Sequence, residues 1–208
     1  MVFQYKDREM FSGNQRLLIA KLTGKNETSE VVFGTGLISV SSMEDEAEVT
    51  NFPADDVPDY ATIAGASLLK GTMSFMQLDP DVRVKFFGQD TTTNGKGYAS
   101  TGVYPQRLVQ YASLGLSKSG AKKLLVTVYP NMSVTGKPSK SSETNSADTP
   151  TPINWEASVQ ASGSDLYTTA NGYRSPEFEY FFTGDEVDKV LDYIDGGGII
   201  TPDYTVKP

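Results

Sequence analysis

Residues 153–162 read INWEASVQAS, the clearest strand pattern in the chain. Every second residue is apolar, and the residues between them are Asn, Glu, Ser, Gln and Ser. Because successive side chains of a β-strand point to opposite faces of its sheet, this alternation predicts a strand with one buried and one polar face. Trp155 falls on the apolar face, so we expect it in the core and not in a ligand site.

Further stretches show the same enrichment in β-branched and aromatic residues between clusters of Gly, Pro, Asn and Ser. They are residues 16–22, 31–40, 66–78, 107–114, 123–129 and 178–182. Short strands at this spacing predict a mainly β fold, an antiparallel sandwich or barrel. A chain of 208 residues is long enough for one sizeable core, so we expect a single domain over residues 1–208.

Two helices are predicted between the strands. The first follows Asp79-Pro80, an N-cap residue and a proline suited to the first helical position, and ends at Gly88. The second begins near Gly184 and ends at the glycines 196–198. Its apolar residues at helical spacing are Val187, Val190, Leu191 and Ile194. This stripe should lie against the sheet while the rest of the helix faces solvent.

Three segments are expected to be long loops, residues 51–65, 91–105 and 136–152. Loops of more than about 12 residues in a compact domain commonly carry function. Residues 199–208 follow the last glycines as an extended arm, and the sequence predicts no element to cover it in a monomer. Gly34-Thr35-Gly36 lies between strand-like residues with no helix after it, so it predicts a sheet bend and not a dinucleotide site.

Composition excludes several function classes. The chain has 18 Lys and Arg against 26 Asp and Glu, a formal net charge of -8, which argues against gripping nucleic acid through phosphates. A channel that passes DNA without holding it would nevertheless benefit from a negative wall. With no Cys and no His, the chain lacks thiolate chemistry and the commonest general base and metal ligand. We therefore expect no enzyme activity and no cofactor.

The beginning of the chain reads MVFQYKDRE, which lacks the apolar run of a signal peptide. No stretch approaches the roughly 20 apolar residues that a membrane-spanning helix requires. The sequence therefore predicts a protein made in the cytoplasm without membrane contact.

Two acidic clusters are the candidate chemical sites. One is the run Glu44, Asp45, Glu46 and Glu48, and the other is Asp55, Asp56 and Asp59. Paired carboxylates can serve a glycosidase, and carboxylate oxygens can bind a divalent cation. Neither cluster has calcium-loop spacing, and charge runs are more commonly solvated faces. A solvated or channel-lining position is therefore the favoured interpretation of the first cluster.

Several blocks, in order along the chain, resemble the major tail proteins of siphophages that infect lactic acid bacteria and related Gram-positive hosts. They are SVSSMEDEAE at 39–48, PADDVPD at 53–59, Gly88-Gln89, Asn94-Gly95, SETNS at 142–146, PINW at 152–155 and VQA at 159–161. None of these blocks is a catalytic signature. Some members of that family carry an added immunoglobulin-like domain after this core.

The resemblance implies a non-enzymatic tail tube subunit with a β-sandwich and a flanking helix. It implies hexameric rings that stack into a tube around the tape measure protein, with tail terminator and distal tail proteins as further partners. It also implies assembly in the host cytoplasm, a place in the virion tail, and DNA that passes without specific binding. Lumen-facing residues are then expected to be Glu44, Asp45, Glu46 and Glu48, and ring-stacking residues Asp55, Asp56, Asp59, Ile199, Ile200 and Tyr204.

Other interpretations stay open at this point. Another ring-forming protein, such as a distal tail protein or a type VI secretion tube subunit, would differ in polymer length. A carbohydrate-binding β-sandwich would stack sugars on tyrosines and use the aspartates of residues 51–65. The tyrosines concerned are Tyr98, Tyr104, Tyr111, Tyr129, Tyr167 and Tyr173. A glycosidase that uses only carboxylates is also compatible with the missing histidine.

Overall fold

A computed structural model describes residues 9–47, 49–54, 56–117, 120–142 and 152–206, with the backbone alone described at residues 9, 57, 59, 60 and 62–64. The fold is mainly β, and the described part contains two helices. In chain order the elements are β1 Glu9–Gly24, β2 Glu27–Gly34, β3 Leu37–Val40, β4 Glu44–Asp45, β5 Val49–Ala54, β6 Val57–Ala64, β7 Leu68–Phe75, α1 Pro80–Lys85, β8 Gln89–Thr91, β9 Tyr98–Ser100, β10 Arg107–Ser117, β11 Lys122–Val134, β12 Ser139–Ser141, β13 Asn154–Ser162, β14 Phe178–Thr183 and α2 Asp185–Asp195.

Ten strands form one antiparallel sheet, whose main path runs β2-β1-β10-β11-β13-β7-β3. β4 pairs with β7, and β12 pairs with β13. The long strand β11 divides the sheet, because its residues 123–128 pair with β14 whereas residues 131–134 pair with β13. Two sheet halves therefore diverge from β11, and the mainly β, antiparallel prediction is confirmed.

Consecutive residues of β1 serve two different cores. Leu17 and Ile19 belong to a first core that they share with β7, β13 and α1. Leu18 and Ala20 belong to a second core that includes the apolar stripe of α2. A strand buried on both faces reads as a continuous apolar run, which explains why residues 17–20 do not alternate.

The stretch INWEASVQAS forms β13, as its alternation predicts. Ala157, Val159 and Ala161 are buried in the first core. Trp155 is half-buried and packs against the same core. The Arg83 guanidinium lies over the Trp155 ring, 5.6 Å from its centre, and over the Tyr98 ring, 4.9 Å from its centre.

The predicted strand over residues 31–40 is divided into β2 and β3 by a bend at Thr35-Gly36. Gly36 has a φ of +78°, which confirms the predicted sheet bend. The Asp79 carboxylate accepts hydrogen bonds from the Thr35 N–H at 2.5 Å and from its hydroxyl at 2.9 Å. Asp79 occupies the N-cap position of α1, but its side chain makes no capping bond because it holds this bend.

Two of the predicted loops contain hairpins. Residues 51–65 fall largely within the β5–β6 hairpin, and residues 91–105 include the turn and second strand of β8–β9. The first hairpin was not predicted because Pro53 and Pro58 argue against a strand. Proline is nevertheless tolerated at sheet edges and at bulges. Within 136–152, β12 pairs with β13, whereas residues 143–151 lie outside the described residues.

Candidate functional site

The acidic run lies beside the start of β7. Asp45 is opposite Leu69 in the β4–β7 register. Its carboxylate accepts hydrogen bonds from the Ser67 hydroxyl at 2.5 Å, from the Ala47 N–H at 3.0 Å and from the Leu68 N–H at 3.2 Å. The Ser67 bond, followed by the Ala47 bond, lowers the pKa of the Asp45 carboxyl. These hydrogen bonds to the anionic carboxylate join Asp45 to the backbone at Ala47 and Leu68.

The two described glutamates of the run differ in their surroundings. Glu46 forms an ion pair with Lys70, whose side chain is about as exposed as its own. Glu44 is exposed and lies opposite the same lysine in the register. Glu48 lies outside the described residues. The negative potential of this segment is therefore partly offset by Lys70, which the linear sequence does not indicate.

The first strand of the β5–β6 hairpin is exposed to solvent. All residues of β5 are exposed, including Val49 at 61% and Phe52 at 48%. In the part of the chain that the structure describes, the two strands pair only with each other. Because an isolated two-stranded hairpin is at best marginally stable in water, this element needs a further packing partner.

The structure places the second acidic cluster on this hairpin. Asp56 is exposed at the turn with a φ of 60°. Asp55 lies outside the described residues, and for Asp59 only the backbone, within β6, is described. Of this cluster, the described parts are thus an exposed turn residue, Asp56, and the backbone of Asp59 in β6.

The expectation of an uncovered C-terminal arm is wrong. Ile199 and Ile200 are buried at 4% and 0% exposure in the second core. Gln110, also fully buried, accepts a hydrogen bond from the Ile200 N–H at 2.7 Å and donates one to the Gly198 carbonyl at 3.2 Å. The Ile200 N–H is thus paired with a β10 side chain, and the start of the arm, residues 199–200, is part of the subunit core.

A tyrosine pair fixes the same segment. The Tyr167 hydroxyl donates to the Ile200 carbonyl at 2.6 Å and lies 2.8 Å from the Tyr180 hydroxyl. Burial raises the pKa of Tyr167 well above its usual value and that of Tyr180 to about 12. Tyr204 continues the arm, and its ring lies 4.8 Å from Tyr193 and 6.2 Å from Phe182.

The candidate sugar-stacking tyrosines do not form one platform. Tyr129 and Tyr167 are buried in different cores. Tyr104 and Tyr111 pack against the first core, and Tyr98 covers Arg83. Of the six, Tyr173 has the most exposed side chain given, at 72%. Packing explains the positions of Tyr104, Tyr111, Tyr129 and Tyr167. The stacked arginine explains the position of Tyr98.

Sequence reasoning missed an apolar surface at the end of β1, β10 and β14. Met10 and Leu116 are opposite each other in the register and are 77% and 62% exposed. Together with Leu114, Val187 and Leu191 they line a groove of about 450 Å³ beside α2. On the other sheet face, the Phe11 and Phe181 rings meet edge-to-face at 6.0 Å.

The described residues were searched for metal-binding groups and for membrane-spanning helices. No three acidic side chains in this part of the chain come together as a metal-binding group. None of its helices is long and apolar enough to cross a membrane. The described surface includes the exposed strand β5 and the acidic segment at Glu44–Asp45.

Comparison with known proteins gives a consistent result. The family model described as phage tail tube protein matches residues 1–207. The tail tube proteins of Lactococcus phages SK1 and p2 are each 38% identical to the chain over 215 residues, covering 99% of this chain and 71% of the relative. The tail tube protein of Lactococcus phage F4-1 is 37% identical with the same coverage.

Proposed function

Because the chain belongs to the phage tail tube protein family and is a structural subunit of a bacteriophage tail tube, we propose that its copies close into hexameric rings that stack into the conduit for DNA. The subunit assembles with itself in the virion tail. Assembly takes place in the host cytoplasm around the tape measure protein, and tail terminator and distal tail proteins are further partners. The proposal contains no catalytic step, and DNA passes without specific binding.

The exposed β5–β6 hairpin is the observation that carries this proposal. It holds Val49 and Phe52 in solvent and pairs with no other strand among the described residues. Protruding apolar side chains on a marginal hairpin favour a contact with another copy. We assign this hairpin, with Asp55, Asp56 and Asp59, to contacts between stacked rings.

The arm has a different part in the proposed stacking. Ile199 and Ile200 are buried in the second core of their own subunit, so they are not themselves available for contact with a neighbouring ring. Tyr204 is half-buried, and Asp203 and Thr205 are exposed. Among the described residues of the arm, Asp203 and Thr205 are therefore the most exposed to a neighbouring ring.

The acidic run is assigned to the lumen. Glu44, Asp45, Glu46 and Glu48 give one short segment a concentration of carboxylates, and a hexameric ring repeats that segment around its axis. A negative wall repels the DNA phosphates and lets the polymer slide. Lys70 moderates this potential through its ion pair with Glu46.

Electron microscopy of the purified protein tests the assembly directly. Negative-stain images, together with light scattering at several protein concentrations, should show hollow rings or tubes whose fraction rises with concentration. A chain that remains monomeric at every concentration contradicts self-assembly into a tube.

A hairpin variant tests which surface drives stacking. Replacing residues 50–63 by a short Asn-Gly turn should leave a folded monomer with unchanged far-UV circular dichroism apart from the lost hairpin, and should abolish tubes. Shortening the β8–β9 hairpin at residues 92–97 is the matched control, which should still assemble. Normal tubes from the first variant would contradict the role of β5–β6.

The lumen assignment is best tested without disturbing the fold. Glu44→Lys combined with Glu48→Lys leaves the hydrogen-bonded Asp45 and the ion-paired Glu46 in place. Phage carrying this pair should eject DNA more slowly, as followed by dye binding to released DNA. Glu186→Lys with Asp192→Lys, on the exposed face of α2, makes the same charge change and should not slow ejection. Equal ejection rates for both pairs would remove the acidic run from the lumen.

A further inference from the structure

Two asparagines of this chain are followed by glycine. They are Asn94-Gly95, in the turn of the β8–β9 hairpin, and Asn171-Gly172, in the segment before β14. At such a pair the backbone nitrogen of the glycine can attack the side-chain carbonyl carbon of the asparagine. Glycine favours this attack because it has no Cβ to hinder the approach. The other asparagines are all followed by larger residues, so these two are the candidate sites of spontaneous deamidation.

Both dipeptides are open to solvent. Asn94, Gly95, Asn171 and Gly172 are all exposed. The glycines have positive φ values, +68° for Gly95 and +78° for Gly172, and neither has an atom within 4 Å of the position that a Cβ would take. Exposure and steric freedom therefore make both sites reactive and do not distinguish them.

The glycine nitrogen is held in a similar way at both sites. The Gly95 N–H donates to the Thr92 carbonyl at 2.7 Å, and the Gly172 N–H donates to the Thr169 carbonyl at 2.9 Å. Each bond has to open before the nitrogen can lose its proton and attack. The β8–β9 hairpin has three residues in each strand and pairs with no other strand among the described residues, so it can open locally at little cost.

The side-chain carbonyl distinguishes the two sites. The Asn94 Oδ1 accepts hydrogen bonds from the Thr92 hydroxyl at 2.6 Å and from the Lys96 N–H at 3.1 Å. A backbone N–H can only donate, so the Asn94 atom that faces it is the oxygen and not the amide nitrogen. The Asn171 side chain makes no hydrogen bond to another described residue.

A further bond fixes the direction in which the Thr92 hydroxyl donates. The Gly97 N–H donates to the Thr92 Oγ1 at 2.9 Å. The hydrogen bonds therefore run in one direction, from the Gly97 N–H through the Thr92 hydroxyl to the Asn94 carbonyl, and bonds aligned in this way strengthen one another. The bond from the Lys96 N–H closes a ring that contains both reacting atoms, the Asn94 Cγ and the Gly95 nitrogen.

Two donors on one carbonyl oxygen change its reactivity. When the Gly95 nitrogen attacks the Asn94 Cγ, the carbonyl oxygen gains negative charge in the tetrahedral intermediate. Hydrogen bonds to an ionised acceptor are roughly twice as strong as bonds to a neutral one. The Thr92 hydroxyl and the Lys96 N–H therefore stabilise the intermediate more than the unreacted amide, as the donors of an oxyanion hole do.

We propose that Asn94 is the preferred deamidation site of this protein, and that the Thr92 hydroxyl and the Lys96 N–H accelerate the reaction. A bond forms between the Gly95 nitrogen and the Asn94 Cγ, and the bond from Cγ to Nδ2 breaks. Nδ2 leaves as ammonia with the proton of the Gly95 N–H. Water then opens the cyclic imide to aspartate or isoaspartate. Water is the only co-reactant, and the inference does not depend on the proposed tube function.

Mass spectrometry measures both sites after the folded, full-length chain has been incubated in mildly alkaline buffer. Cleavage after lysine and arginine releases residues 86–96, in which Asn94 is the one asparagine. It also releases residues 141–174, in which fragment ions locate Asn171. Asn94 should convert about tenfold faster than Asn171, the factor that one stronger hydrogen bond supplies. In concentrated urea, where the turn is lost, the two rates should become similar.

Substitution of Thr92 tests the donor itself. Thr92→Val keeps the shape of the side chain without its hydroxyl and should slow the conversion of Asn94 by about tenfold. Asn171 in the same chain should keep its rate, which makes it an internal control. Thr92→Ser retains the hydroxyl and should convert Asn94 at the wild-type rate.

Three results would overturn the inference. Equal rates at Asn94 and Asn171 in the folded wild type would remove the preference. A preference for Asn94 that persists in urea would assign it to the neighbouring sequence and not to the folded turn. An Asn94 rate in Thr92→Val that equals or exceeds the wild-type rate would show that the hydroxyl does not accelerate the reaction. None of these results bears on the tail tube proposal.

Discussion

The fully buried side chain of Gln110 holds the backbone of Ile200, with its amide oxygen 2.7 Å from the Ile200 nitrogen. The same side chain donates to the Gly198 carbonyl, so one glutamine binds the backbone on both sides of Ile199. A segment bound in this way contributes to the stability of the monomer before any assembly. Removing residues 199–208 would therefore expose the second core, and loss of tubes in that variant would not by itself report on stacking.

Gln110→Ala should destabilise the subunit by about 1–3 kcal/mol, because it leaves the Ile200 N–H and the Gly198 carbonyl unpaired in a buried site. Urea unfolding followed by circular dichroism measures the change. Gln106→Ala removes an exposed glutamine from the adjacent segment and should change stability by less than about 0.5 kcal/mol. Equal midpoints for the two variants would show that the arm is not held by Gln110.

Alkaline pH should unfold the protein through its buried tyrosines. Burial raises the pKa of Tyr180 from 10.0 to about 12, so the folded state keeps this proton more tightly than the unfolded chain. Its contribution to stability is complete below pH 10.0 and is lost as the pH rises through about 12. Urea midpoints measured on both sides of this range should fall with pH.

Substitution identifies the group responsible for that alkaline loss. Tyr180→Phe should make the decline in the urea midpoint shallower, because one of the buried tyrosines that titrate is gone while Tyr167 remains. Tyr173→Phe, at a side chain that is 72% exposed, should leave the decline as in the wild type. An identical pH dependence in wild type and Tyr180→Phe would assign the alkaline transition to other groups.

The strands and helices were largely predictable because their signals are local. Alternation at residues 153–162 places Ala157, Val159 and Ala161 inward, and the structure confirms it. The β5–β6 hairpin escaped prediction because Pro53 and Pro58 argue against a strand, whereas proline is tolerated in a hairpin that pairs with no third strand among the described residues. Local rules cannot show how many strands of the described structure pair with a given strand.

The docking of the arm was missed because its partner is 90 residues away. One signal was nevertheless present in β10. Leu108, Gln110 and Ala112 alternate onto one face, and all three are buried, so a glutamine interrupts an apolar row. A polar residue in such a row predicts a buried hydrogen-bond partner, although its identity requires the tertiary structure. The pairing of Glu46 with Lys70 is non-local in the same way.

Arg83→Met should loosen the β8–β9 hairpin and expose the single tryptophan. The guanidinium lies between the rings of Tyr98 and Trp155 and also donates to the Leu78 carbonyl at 3.1 Å. Loss of the stacked cation is expected to cost about 0.5–2 kcal/mol. Trp155 fluorescence should shift to longer wavelength. Lys96→Met removes a charge from the exposed turn of the same hairpin and should leave the emission unchanged; a shift in both variants would indicate a general charge effect.

Gly88→Ala should be the most damaging small substitution in this region. Gly88 has a φ of +58°, and an added Cβ would lie 1.8 Å from the Val103 carbonyl oxygen, so the backbone must move. Gly95 has a φ of +68° but no atom within 4 Å of its Cβ position. Gly95→Ala therefore measures the backbone strain alone, about 1–2 kcal/mol, and the excess loss in Gly88→Ala measures the collision. Thermal unfolding of both variants gives the comparison. Equal losses of stability would show that the Val103 backbone moves away from the new methyl group without an energetic cost.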